Sequence, residues 1–222
     1  MKKLRLGEFE RNSLVVFAIT MIANVLSYLY QIVMGNVLTP ADYGTVNTLL
    51  SLSVVVGVPS GIISALTATY TAKYHAHGET FAIAAFMHGM LRVAAVLAAI
   101  VFVAGALLSR PTAHVLQIDD PHYVTVVMVL VASNCLGPVF SSTLQGVKRF
   151  IPYSMNSVLS FAFRLLLGVI FVWLGWGIPG ALAALILAAC LTMLYCLFKS
   201  RDLFFAPVKE KLALDRTEIR RY

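Results

Sequence analysis

Charge is scarce in this chain. Only 12% of its 222 residues are Asp, Glu, Lys or Arg, about half the share found in a soluble domain. Acids are the rarer sign, ten against 17 Lys and Arg, and none lies within a long apolar run. That removes the membrane carboxylates by which a cation is usually bound or a proton relayed. Cysteine is sparse as well. Cys135, Cys190 and Cys196 all sit in apolar runs, with no metal-ligand spacing and no disulfide framework. They read as small packing residues, and neither a metal nor another cofactor is expected.

What the chain does have is apolar length. Hydrophobic residues make up 59% of it. A helix crossing the ~30 Å hydrocarbon core needs roughly 20 such residues. Six segments qualify, at about 13–35, 45–70, 87–108, 122–144, 153–175 and 177–197. Little chain remains for a soluble domain, so the expectation is an all-α membrane protein built as a six-transmembrane-helix bundle. Residues 1–12 read as a cytoplasmic N-terminal segment, 13–197 as the six-helix lobe and 198–222 as a basic cytoplasmic linker or tail. The first apolar run is too long for a signal peptide, and no small-residue cleavage site follows it.

The net charge of +7 is explained by topology rather than by nucleic acid. Lys and Arg concentrate in cytoplasmic loops. With the N-terminus inside, six crossings leave fifteen of the 17 basic residues inside, Arg92, Lys148 and Arg149 among them. Arg110 alone falls outside, beside Asp42, Asp119 and Asp120, and Arg164 falls within a span. The turn in "MGNVLTPADYGTVNTLLSL" (34–52) is then an outside hairpin, with Pro40 and Gly44 breaking the helix.

Polar residues inside the spans repeat at helical spacing. Thr20, Asn24, Ser27 and Gln31 share one face of the first helix. Ser60, Ser64, Thr67 and Thr71 do so in the second, and Asn134, Pro138, Ser141 and Gln145 in the fourth. In the fifth, Asn156, Ser160 and Arg164 follow at steps of four. The third and sixth helices are nearly apolar away from their ends. Four striped helices suggest a wet cavity; the plainer reading is hydrogen-bonded packing between helices. Amides and an arginine on the same faces favour the cavity.

Arg164 is the sharpest signal. Starting the fifth helix near Tyr153 puts it roughly 16 Å deep. An arginine there costs at least ~2.5–3.5 kcal/mol unless it meets water, a partner or a ligand. With no internal acid, an anion is the candidate partner, and phosphate suits the guanidinium fork. The alternative is an arginine satisfied by carbonyls and water in a structural role. "GVPSG" (57–61) and "LGP" (136–138) interrupt two of the striped helices, as static kinks or as points of movement.

The segment "VMGNVLTPADYGTVNTLLSL" resembles the first hairpin of polysaccharide export flippases of the multidrug/oligosaccharidyl-lipid/polysaccharide superfamily. The matching turn is Leu38, Thr39, Pro40, Ala41, Asp42, Tyr43 and Gly44. "LQGVKRFIPYSMNSVLSFAFRLLLGVIFVWLGWGIPGALAALILA" resembles a later loop and the fifth and sixth helices of that family. The resemblance implies a transporter, not an enzyme, that moves polyprenyl-pyrophosphate-linked oligosaccharide across the inner (plasma) membrane. It also implies two six-helix lobes around a central cavity, of which this chain supplies one; a second lobe or a homodimer would complete it. Cationic residues of such a cavity hold the pyrophosphate, a role that the resemblance carries to Arg164 and, less directly, to Arg92. Asn24, Gln31, Asn134 and Asn156 are the further substrate-binding candidates, with Lys148 and Arg149 at the cytoplasmic mouth. For Arg92, Lys148 and Arg149 the alternative is orientation by charge alone. Membrane lipid is the other expected partner, since Leu203, Phe204 and Phe205 among the basic residues of the tail suit the inner membrane surface. Two other functions stay open, a cation-coupled multidrug exporter and a non-transporting scaffold. A membrane enzyme is disfavoured, because the only acid–histidine cluster outside is "IDDPH" (118–122).

Overall fold

A computed structural model describes residues 2–118 and 120–204, and the side chains of these except 2–12 and 80. The described residues form eight helices and no strand: α1 (Lys2–Val37), α2 (Pro40–Val56), α3 (Val58–Ala76), α4 (Thr80–Leu107), α5 (Ser109–Val115), α6 (Pro121–Gly146), α7 (Phe150–Trp173) and α8 (Gly177–Phe204). Five of them, α1, α4, α6, α7 and α8, are long and apolar enough to cross a membrane. The pair α2–α3, bent by 49° at Gly57, makes a sixth crossing if it is one broken span. The protein is an all-α membrane bundle, as the apolar runs imply.

Helix starts follow local chemistry. Thr39 caps α2: its Oγ1 accepts the Asp42 N–H at 3.2 Å and donates to Asp42 Oδ2 at 2.8 Å. Pro40 follows at the first helical position, where its missing N–H costs nothing. Asp120 caps α6, accepting the His122 N–H at 2.9 Å, with Pro121 next. Gly175 and Gly177, with φ of 83° and 51°, take the left-handed turn joining α7 to α8.

α6 is the hub. It packs against α3, α4 and α8 most extensively and also against α2, α5 and α7, while α1 packs chiefly on α7. Two apolar clusters mark opposite ends of the bundle. One joins Met34, Leu49, Ile118, Val124, Val172 and Leu182. The other joins Ile83, Met87, Leu144, Val147, Cys196 and Leu203.

Several sequence expectations need correction. Gly44 does not break a helix; it lies inside α2, because the Thr39–Asp42 cap has already fixed the start. α4 begins at Thr80 rather than near 87, so Arg92 stands about 18 Å into a helix rather than near its start. Helix continues through positions 12/13 and 197/198, since α1 starts at Lys2 and α8 runs to Phe204, while the apolar span in α1 starts at Ser13. Asp119 and the tail from Phe205 to 222 lie outside the described residues.

Candidate functional site

A cavity of about 560 Å³ opens between α2, α3, α6, α7 and α8. Its charged wall comes from α7, where Asn156, Ser160 and Arg164 all line it, as their spacing of four predicts. Arg164 lies about 21 Å from the start of α7 and about 14 Å from its end. Opposite, α6 contributes Ser133, Asn134, Pro138 and Ser141. The α2–α3 break contributes Ser53, Gly57 and Ser60.

Two interrupted helices therefore line the cavity. Pro138 has no N–H to return to the Asn134 carbonyl one turn earlier. At the α2–α3 break the Gly57 carbonyl accepts from both the Ser60 N–H, at 2.9 Å, and Ser60 Oγ, at 2.6 Å. A Cβ on Gly57 would stand 2.8 Å from the Ser53 carbonyl oxygen, which explains a glycine at the bend. Irregular backbone at membrane depth is tolerated where it lines a polar cavity or is buried in protein.

Among the described residues, Arg164 is the only charged one that lines the cavity, and no Asp or Glu does. Its Nε is buried without a protein hydrogen-bond partner. The Phe161 ring lies 5.5 Å from the guanidinium carbon. Among the described residues the one ion pair is Arg149–Asp202, so no carboxylate neutralises Arg164. Tyr30 of α1 is close enough to interact electrostatically with it, and the Tyr30 hydroxyl is likewise buried without a partner. The Cys196 thiol donates to Asn156 Oδ1 at 3.2 Å, which turns the Asn156 amide nitrogen away from that contact.

Of the candidate residues, Arg164, Asn134 and Asn156 thus share one site. Asn24 and Gln31 do not line it: both are exposed on α1, which contributes no residue to the cavity wall. Arg92 is exposed on α4, also away from the cavity. Lys148 is exposed, with φ of 60°, in the turn between α6 and α7. Arg149 beside it is engaged: it pairs with Asp202 and donates to the Lys199 carbonyl at 3.0 Å. The second-helix stripe divides. Ser60 lines the cavity, whereas Ser64 hydrogen-bonds Ser142 of α6 at 2.7 Å, and Thr67 and Thr71 are fully buried. α8 is nearly apolar in sequence away from its ends, yet Thr192 and Cys196 form part of the wall. The single threonine in "LAACLTMLYC" is the signal that could have shown it.

The family described as "Polysaccharide biosynthesis protein" matches residues 9–221. No curated protein matches the chain. One solved structure does: a MOP superfamily transporter from Pyrococcus furiosus Vc1, described as having a binding pocket of reverse polarity that suggests a different function. The TM-score is 0.62 at 19% identity, over 83% of this chain and 43% of that one. The likeness is one of fold, and the chain spans less than half the length of that transporter.

Proposed function

Because the chain belongs to the polysaccharide biosynthesis protein family, we propose that it forms one lobe of a flippase. The cargo is a polyprenyl-pyrophosphate-linked oligosaccharide, moved across the cytoplasmic membrane. The observation that carries the reading is Arg164, a lone guanidinium lining a cavity in which no acid answers it. A cation left so at membrane depth is stabilised by an arriving anion. A pyrophosphate matches its planar fork of donors better than a single point charge would. The amides of Asn134 and Asn156 add neutral donors on either side for further phosphate oxygens or for sugar hydroxyls. Lys148, free of any ion pair among the described residues, draws the anionic headgroup toward the inner mouth; Arg149 serves the α7–α8 junction instead.

Asn24 and Gln31 take a different part. They are exposed polar groups within an apolar span of α1. Contact with acyl chains leaves amides unsatisfied, so a second lobe or a second copy of the chain covers that face. Both termini lie on the cytoplasmic side.

The test is Arg164→Ala in cells whose surface polysaccharide depends on this protein. The expected result is loss of export with normal abundance of the protein in the membrane. Export at the parental rate would remove Arg164 from the mechanism and this reading with it.

A further inference from the structure

The α7–α8 hairpin carries a second concavity, which shares no residue with the cavity around Arg164. It is an apolar groove of about 870 Å³. Met155, Leu159 and Phe163 form its α7 wall, and Leu191, Tyr195 and Phe198 its α8 wall. The α7 residues each precede a cavity residue by one position, so the same helix turns a polar face to the cavity and an adjacent apolar face to the groove. From Leu191 to Arg201 the groove runs ten residues, about 15 Å along the helix. That is half of the ~30 Å hydrocarbon core, the depth of one leaflet.

Its rim is cationic. Arg201 closes one end of the groove, its guanidinium carbon 4.7 Å from the Phe198 ring. Lys199 Nζ stands 6.0 Å from the ring of Tyr195. Both cations are exposed, and neither forms an ion pair among the described residues, whereas neighbouring Arg149 is held by Asp202. Rings that line the groove thus hold two unneutralised charges at its mouth.

We infer that this groove binds an anionic glycerophospholipid from the leaflet at the Arg149–Asp202 end of the bundle. One acyl chain lies along Leu159 and Phe163 and ends near Leu191. The phosphate sits at Lys199 and Arg201. A zwitterionic lipid would fill the apolar part equally well but would supply no net charge to the rim. The isoprenoid chain of a cargo lipid fits less well, because the groove is one leaflet deep and separate from Arg164.

Native mass spectrometry of the purified full chain, titrated with phosphatidylglycerol, phosphatidylcholine or undecaprenyl phosphate, tests this. The expected result is one tightly retained phosphatidylglycerol, preferred over phosphatidylcholine by roughly tenfold or more, as two basic residues at a lipid surface imply. Lys199→Gln with Arg201→Gln removes that preference, whereas Lys199→Arg with Arg201→Lys keeps it. Leu159→Trp fills the groove and lowers retention of phosphatidylglycerol with the rim charges intact. Equal retention of the two phospholipids, or an unchanged preference in the double Gln variant, overturns the inference. Undecaprenyl phosphate that is retained more tightly than phosphatidylglycerol and is lost on Leu159→Trp overturns it too and gives the groove to the cargo's tail. If the Gln variant does not fold, Leu159→Trp and the charge-preserving pair still decide. None of these readings depends on export.

Discussion

Arg164 sets the chemistry of the cavity because of what the residues around it do with their protons. Ser53, Ser60, Ser133 and Thr192 each donate to a backbone carbonyl three or four residues earlier, at 2.7, 2.6, 2.9 and 2.8 Å. Their hydrogens are spent locally. The donors left for a ligand are the guanidinium, the amides of Asn134 and Asn156 and the Ser160 hydroxyl, which has no hydrogen bond among the described residues. One cation, two amides and a hydroxyl select for an anion, and a new negative charge in the same wall would oppose it. Asn156→Asp is close to isosteric and places a carboxylate two helical turns, about 12 Å, from Arg164. It should weaken binding of a pyrophosphate lipid by about tenfold or more, since a hydrogen bond to a charged ligand is worth ~1.5–3 kcal/mol and is here replaced by repulsion. Asn156→Ala should cost less. Lipid-linked substrate binding to the two purified variants checks the order; equal affinities would mean that Asn156 does not face the ligand. Arg164 was legible in the sequence because a single cation in an apolar run must be answered by something. That Asn24, Gln31 and Arg92 stand away from this cavity was not legible. Helical spacing shows that residues share a face, but not which neighbour that face meets.

At the scale of elements, the two interrupted helices define how the cavity can change. α2–α3 bends at Gly57, and α6 carries Pro138 at the same cavity. Other contacts are rigid. A Cβ on Gly146 would stand 2.8 Å from the Ala68 carbonyl oxygen, so α3 and α6 approach as closely as backbones allow. The bend therefore lies beside a tightly packed seam. Pro138→Ala restores an N–H for the Asn134 carbonyl. It should raise thermal stability, by up to ~3 kcal/mol if the kink is relieved, and slow export. Scanning calorimetry alongside an export assay tests both halves; faster export from a stiffer α6 would show that the kink is not a moving part. "GVPSG" made the α2–α3 bend readable. The early start of α4 and the short α5 were not readable, because both lie where polar and apolar residues mix without a strong cap. Neither the Glu79 nor the Leu108 position supplies a side-chain cap.

The whole molecule adds what no single helix shows, a difference of charge between its two ends. Lys73, Lys148, Arg149, Lys199 and Arg201 gather near the cluster of Ile83, Leu144 and Leu203, with Glu79 and Asp202. Near the cluster of Met34, Ile118 and Val124 stand Asp42, Arg110 and Asp120. The bias survives the correction of Arg92, because it rests on residues at helix ends rather than on the count. Cytoplasmic loops carry the excess of Lys and Arg, so in the proposed orientation the Lys148 end faces the cytoplasm. A membrane-impermeant maleimide should therefore label Arg110→Cys in intact cells and Lys148→Cys only after permeabilisation. The parent chain sets a low background, since Cys135 and Cys196 are buried and Cys190 lies mid-span. The opposite pattern would invert the protein and put the cationic rim of the α7–α8 groove in the outer leaflet. Gln31→Cys in the same series addresses the open side of the bundle. Covered by a second lobe or a second copy, its thiol should react slowly with a lipid-soluble maleimide, and in the second case it should crosslink to its twin on mild oxidation. Rapid reaction with the lipid-soluble reagent alone would leave α1 facing acyl chains and remove the argument for a partner there.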